Sequence, residues 1–240
     1  MFRRLTVLAC GIVLSSATPA LAQVQWTDRG FAAFSAGLQI GTADVTSTQK
    51  FDLYGEEASL VSAQDVKGGL LLDGQAGYRV WRNLAVGVGV SFIQGKSDAA
   101  ITGSIPDPIK FDSHRTASVT AADLSHRETW VTGLLTWVMP VTDKMDVFFS
   151  GGPAFVQVQQ ELPTGASVSE PGPTLSNVTV TKFSKSGIGF VAGADVRYML
   201  TSRIGLGAMA KFAAASVALT DDTSVDAGGF QLGAGVRIKF

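Results

Sequence analysis

The last twelve residues, Gly229-Phe230-Gln231-Leu232-Gly233-Ala234-Gly235-Val236-Arg237-Ile238-Lys239-Phe240, divide into two faces when read with a period of two. Phe230, Leu232, Ala234, Val236, Ile238 and Phe240 fall on one side, and Gly229, Gln231, Gly233, Gly235, Arg237 and Lys239 on the other. Successive side chains of an extended chain point opposite ways, so the stretch predicts a strand with one wholly apolar face and one small or charged face.

The same dyad recurs near the other end, where Ala32, Phe34, Ala36, Leu38 and Ile40 oppose Ala33, Ser35, Gly37, Gln39 and Gly41. Between these two the pattern predicts strands near 69–81, 84–95, 126–139, 145–160, 186–199 and 204–219, eight in all. The adjacent Phe148 and Phe149 and the interruption at Pro153 leave the facing of 145–160 open and point to a bulge there. A weak repeat supports hairpin units: Gly77-Tyr78-Arg79-Val80, a turn and Val86-Gly87-Val88-Gly89 recurs as Asp195-Val196-Arg197-Tyr198, a turn and Leu206-Gly207-Ala208.

Connections alternate in length. Residues 82–83, 140–144 and 200–203 are tight, whereas 42–68, 96–125, 161–185 and 220–227 read as long polar loops. Short turns at one end and long connections at the other is the layout of an outer-membrane barrel. A soluble lipocalin-like barrel would carry its apolar face inside and its polar face outside. Here the mixed face holds Asp73, Gln75 and Arg79 on one strand and Asp195 and Arg197 on another, between many glycines, while the apolar face is nearly free of charge. That composition suits a polar lumen and a lipid-facing exterior. Tyr78, Trp81, Trp137, Tyr198 and Phe240 near the tight turns, and Phe34, Phe92, Phe155 and Phe212 further along, read as two aromatic girdles.

Composition agrees. The chain has 27 glycines and a mean hydropathy of +0.25, yet after its first 22 residues it contains no run of about 20 apolar residues that could form a membrane helix. Those first residues read as a secretory signal peptide: Arg3 and Arg4, an apolar run over Leu5–Leu14, then Ala20-Leu21-Ala22 as the cleavage motif. Cleavage at Cys10 as in a lipoprotein would leave too short an apolar core. Removal of residues 1–22 leaves one domain, 23–240, without cysteine. It also takes Arg3 and Arg4 from the 19 basic residues, leaving 17 against 20 acidic ones, a net charge of −3 that gives no support for a nucleic-acid partner.

On its alternating strands, loop asymmetry and the ending Gly235-Val236-Arg237-Ile238-Lys239-Phe240, the stretch 29–240 resembles the small eight-stranded outer-membrane barrels of the OmpA/OmpX type. The resemblance implies an all-β, antiparallel up-and-down transmembrane barrel in the Gram-negative outer membrane, surrounded by outer-membrane lipids, with both termini in the periplasm. It implies that Phe230, Leu232, Val236, Ile238 and Phe240 form the signal read by the barrel-assembly machinery. Because the sequence stops at the last strand, the peptidoglycan-binding domain of longer relatives is not expected.

A barrel this narrow is filled by its own side chains. Asp73, Arg79, Glu128, Asp195, Arg197, Lys211 and Arg237 are the inward charges expected, either as a plug of paired groups or as the lining of a narrow ion or solute path. Ser125-His126-Arg127-Glu128 is the one local grouping of nucleophile, base and carboxylate, which lipid-deacylating barrels would need. Neighbours on a strand face opposite ways, so Ser125 and His126 are expected apart, with the histidine exposed at a strand top. Two distant histidines give no metal-ligand spacing, and no cofactor motif is present. The sequence therefore predicts a non-enzymatic envelope or loop-binding protein with a porin-like conduit as the alternative, and it names no loop ligand.

Overall fold

The computed structural model describes residues 26–218 and 224–240, so the expected signal peptide and its cleavage residues Ala20 and Ala22 lie outside the described part. Among the described residues ten antiparallel strands form one sheet: β1 (Gly30–Ile40), β2 (Thr42–Leu53), β3 (Glu56–Lys67), β4 (Leu70–Trp81), β5 (Leu84–Pro106), β6 (His114–Thr142), β7 (Met145–Ser169), β8 (Thr174–Met199), β9 (Ile204–Ala218) and β10 (Ser224–Lys239).

Eight of them close a ring. β1 pairs with β4 on one side and β10 on the other, and the ladder continues β4–β5–β6–β7–β8–β9–β10. Closure leaves no sheet edge within the ring, as a membrane span requires. The register is the one the dyad predicts, with Phe34 opposite Val236 and Gln39 opposite Gln231.

The strand count differs from eight because 42–68 is not a loop. It is the β2–β3 hairpin, turned at Tyr54-Gly55 with φ of 57° and 84°, and β3 pairs with the distal half of β5. Two successive left-handed residues match the twist of a two-residue hairpin. Likewise most of 96–125 and 161–185 extends β5, β6, β7 and β8 to 23, 29, 25 and 26 residues. These segments read as polar because Ser and Thr alternate where apolar residues do nearer the turns, but β-branched Thr and the ladder hydrogen bonds serve a strand equally well.

Outward residues carry a band. From Leu70 to Val80 on β4 and from Ile188 to Tyr198 on β8 every second residue is apolar or small and points away from the lumen. Each run is about eleven residues, the length of a tilted membrane-crossing strand. Beyond it the outward face turns polar at Gln94 and Lys96 on β5, Arg127 and Asp123 on β6, Gln157 and Gln159 on β7, and Ser186 and Lys182 on β8. The expected aromatics stand on this band: Tyr78, Trp81, Trp137, Tyr198 and Phe240 are exposed toward the tight turns, and Phe34, Phe92, Phe155 and Phe212 toward the other rim.

Phe148 faces the lumen and Phe149 faces out, which settles the orientation of β7. No bulge forms at Pro153: Ala154 stands opposite Thr132 and Gly151 opposite Leu135, the same register on both sides. The irregularity lies at Pro140/Thr142, beside the tight turn.

Past the band the sheet splits. The β6–β7 ladder ends at His126–Gln160, and above it the β2–β3–β5–β6 face packs on the β7–β8 hairpin around Leu60, Ile101, Ile105, Ala117 and Leu175. The projecting strands thus own a second apolar core.

Candidate functional site

Every second residue of the ring points inward, and these side chains fill the lumen in tiers. At the tight-turn end Trp26, just before β1, closes the barrel with Phe31 and Phe148; the rings meet edge to face, Phe31 to Phe148 at 5.0 Å and Trp26 to Phe148 at 5.6 Å. Gly77 makes room for this tier, since a Cβ there would lie 2.7 Å from the Phe31 ring. Arg79 donates to the Trp26 carbonyl and holds the segment in place.

Above the aromatic tier, Asp195 takes two arginines. Arg197 Nε and Arg237 Nε each donate to Oδ1 at 3.0 Å, and Arg237 Nη2 lies 2.8 Å from Oδ2. Both arginines are fully buried. The Arg197 guanidinium lies over the Phe148 ring at 3.5 Å and the Phe31 ring at 4.5 Å, an arrangement in which the ring quadrupoles stabilise the cation. Gly207 is needed here as well, because a Cβ would come within 2.7 Å of Arg237 Nε. Lys239 pairs with Asp146 and, at 3.2 Å, with Asp28.

The middle tier is Asp73, which pairs with Lys211 and accepts from Ser91 Oγ at 2.7 Å; Lys211 Nζ also donates to Ser91 at 2.9 Å. A serine beside a lysine is a nucleophile arrangement in some hydrolases. Here the hydroxyl is directed at a carboxylate. The adjoining cavity of about 30 Å³, bordered by Asp73, Lys211 and Asp195, offers room for a water or two.

The upper tier centres on Glu128. It accepts from Trp130 Nε1 at 2.7 Å, from Gln39 Nε2 at 3.3 Å and from the Gly228 amide at 3.3 Å, and its Oε1 lies 2.8 Å from His126 Nε2. The other ring nitrogen of His126 meets Gln160 Oε1 at 2.5 Å. His126 is therefore buried, not exposed at a strand top as the sequence suggested. Ser125 lies on the opposite face, its amide donating to Glu161 at 2.8 Å, so no Ser–His–Glu set assembles. His114 sits on the projecting sheet, 3.2 Å from the Glu57 carbonyl.

All seven predicted charges point into the lumen but in separate groups: Asp195 with Arg197 and Arg237, Asp73 with Lys211, Glu128 with His126, and Arg79 on the Trp26 carbonyl. Sequence reasoning left out Gln39, Ser91, Asp146, Gln160, Gln231 and Lys239, although the dyad places Gln39, Gln231 and Lys239 on the mixed face. Counted among the described residues and with His126 left aside, these groups hold five acids (Asp28, Asp73, Glu128, Asp146, Asp195) and five bases (Arg79, Arg197, Lys211, Arg237, Lys239), so their formal charges balance.

The outward members of the C-terminal dyad, Phe230, Leu232, Val236 and Phe240, are exposed, and Ile238 is half-buried. Beyond the band an ion-pair clasp joins β6 to the β7–β8 hairpin. Arg115 on β6 donates from both Nη atoms to Glu170 at 3.0 and 2.5 Å, with Asp107 3.6 Å from its Nε. The Glu170 hydrogen bonds raise the Arg115 pKa further, and the Ile109 amide, ahead of the Arg115 charge, holds the Asp107 carboxyl below its ordinary range.

Residues 6–237 match the family described as outer membrane protein beta-barrel domain. The chain belongs to that family. The outer-membrane barrel accounts for the closed ring, the apolar band and the polar lumen together, and it places the protein in the outer membrane. Among solved structures, the outer membrane protease OmpT from Escherichia coli is similar over 90% of this chain and 98% of that one, at 9% identity and a TM-score of 0.51. Neisserial surface protein A (13% identity, 88% and 97% covered, TM-score 0.42) and the outer membrane protein OprG from Pseudomonas aeruginosa (14%, 89% and 97%, 0.42) are also similar. At these identities the likeness is one of fold. No curated protein matches the sequence.

Proposed function

We propose that this outer-membrane barrel is a non-enzymatic scaffold that holds a rigid β-extension on the cell surface as a binding platform. The observation that carries the reading is the length of β5–β8. They run 23 to 29 residues, about twice what crossing the bilayer needs, and their surplus folds around a packed core closed by the Arg115–Glu170 clasp. Loops held by a rigid scaffold are where recognition concentrates. The tip of the β5–β6 hairpin presents Ile109 and Phe111, 92% and 77% exposed, which no packing role explains.

The reading places the tight turns and both termini in the periplasm and the long hairpins outside. After signal removal the chain has no cysteine, so single cysteines report sidedness. Ile109→Cys should react with a membrane-impermeant maleimide on intact cells, and Thr201→Cys only after the outer membrane is opened. Labelling of Thr201→Cys alone on intact cells would reverse the orientation and sink the proposal.

The conduit reading is disfavoured by the lumen. Against it stand the buried ion pairs that occupy the lumen and the aromatic floor of Trp26, Phe31 and Phe148 beneath them.

A further inference from the structure

On the polar rim of the band Arg127 is a cation with no acidic partner among the described residues. Arg127 points outward from β6, exposed, and no carboxylate lies within 4 Å of it among the described residues. The next cation in this rim, Lys96, is held by Asp123 at 2.9 Å. Arg127 stands directly opposite Gln94 on β5 and Gln159 on β7, so the guanidinium is flanked on both sides by carboxamides in one transverse row. These three line a surface groove of about 560 Å³ whose floor nearer the band is Leu70, Leu72 and Phe92.

We propose that this groove binds a phosphate-bearing glycolipid of the outer leaflet, with its acyl chains along Leu70, Leu72 and Phe92 and its phosphate on Arg127, Gln94 and Gln159. The occupant follows from position and charge. The groove straddles the edge of the lipid-facing band, so bilayer lipid covers its apolar half. The polar half offers a planar guanidinium that matches a phosphate bidentately, with amide donors at the neighbouring strand spacing. An uncharged headgroup would leave the cation without a counter-charge. That the rim lies in the outer leaflet rests on the orientation proposed above; the binding measured below does not depend on it.

The test uses the full barrel refolded in a zwitterionic detergent, titrated with a monophosphorylated acylated glucosamine disaccharide and with the same glycolipid lacking its phosphate. The phosphorylated probe should bind at least about tenfold more tightly, as a charge-assisted contact implies. Arg127→Ala should abolish that preference, Arg127→Lys should keep part of it, and Lys182→Ala, an exposed outward cation away from the groove, should leave it unchanged. Arg127 is on the outer surface, and an unaltered heat-shift on gels verifies that each variant is folded. Equal binding of the two glycolipids, or an Arg127→Ala variant that still discriminates, would overturn the proposal. Inorganic phosphate at matched concentration should not compete; competition would show a free-anion site and overturn the lipid assignment.

Discussion

Arg197 and Arg237, forty residues apart on β8 and β10, share the carboxylate of Asp195 deep in the lumen, both through Nε at 3.0 Å. The one-strand gap between β8 and β10, occupied by β9, is thus bridged from inside. Removing the carboxylate leaves two buried guanidinium groups uncompensated, a loss of about 3–5 kcal/mol in comparable sites. Asp195→Ala should lower the urea midpoint of the folded, faster-migrating gel band accordingly, and Asp195→Asn, which retains one acceptor, should lower it less. An unchanged midpoint in both variants would show that the pair is not a structural tie.

On the opposite face of the same strand, Val236 is exposed toward lipid. A charge at bilayer depth on that face costs about 2–4 kcal/mol. Val236→Arg should therefore reduce the amount of folded protein recovered from outer-membrane fractions, whereas Ser184→Arg, outward on β8 beyond the band, should not. Equal recovery of the two would contradict the placement of the band.

The clasp makes a separate prediction. Arg115→Ala removes a bidentate pair at the surface, where screening by water keeps the contribution of such a pair small. The barrel should keep its heat-shift while residues 161–185 become more sensitive to added protease. Loss of the heat-shift would mean that the extension is part of the barrel's own stability.

Asp107 gives the pH dependence. Its carboxylate accepts the amides of Ile109 at 2.9 Å and Lys110 at 3.3 Å, and its pKa is lowered. A lowered folded-state pKa stabilises the tip above the ordinary aspartate value, and that stabilisation is lost as the pH falls through the folded value. The Ile109 amide resonance should titrate with a midpoint below 3.8, the ordinary value. A midpoint at or above 3.8 would show that the tip turn is not built on this carboxylate.

Much of the ring was readable from the chain because lipid and lumen impose opposite chemistries on alternate residues. Phe34 and Val236 outward, Asp73 and Arg197 inward, follow from period two alone. The extension was not readable by the same rule. In β2 and in the upper half of β6, residues such as Thr46, Thr48, Ser118 and Thr120 face water rather than lipid, so the alternation survives in the fold but carries no hydropathy contrast. His126 was misplaced for a related reason: a polar residue near a strand end looks exposed, and only closure of the ring brings Gln160 and Glu128 onto both of its nitrogens. Trp26 precedes the first strand and has no period to betray it, yet it forms the floor of the lumen.

The claim on which the account rests is that the lumen is a plug of paired charges and the function lies outside it. Single-channel recording of the purified barrel in planar bilayers tests this most directly. The account predicts no stepwise conductance from the unmutated protein at neutral pH, and openings only when the plug is cut, as in Arg197→Ala combined with Trp26→Ala. Reproducible, ion-selective steps from the unmutated protein would contradict it and make the charged tiers a conduction path.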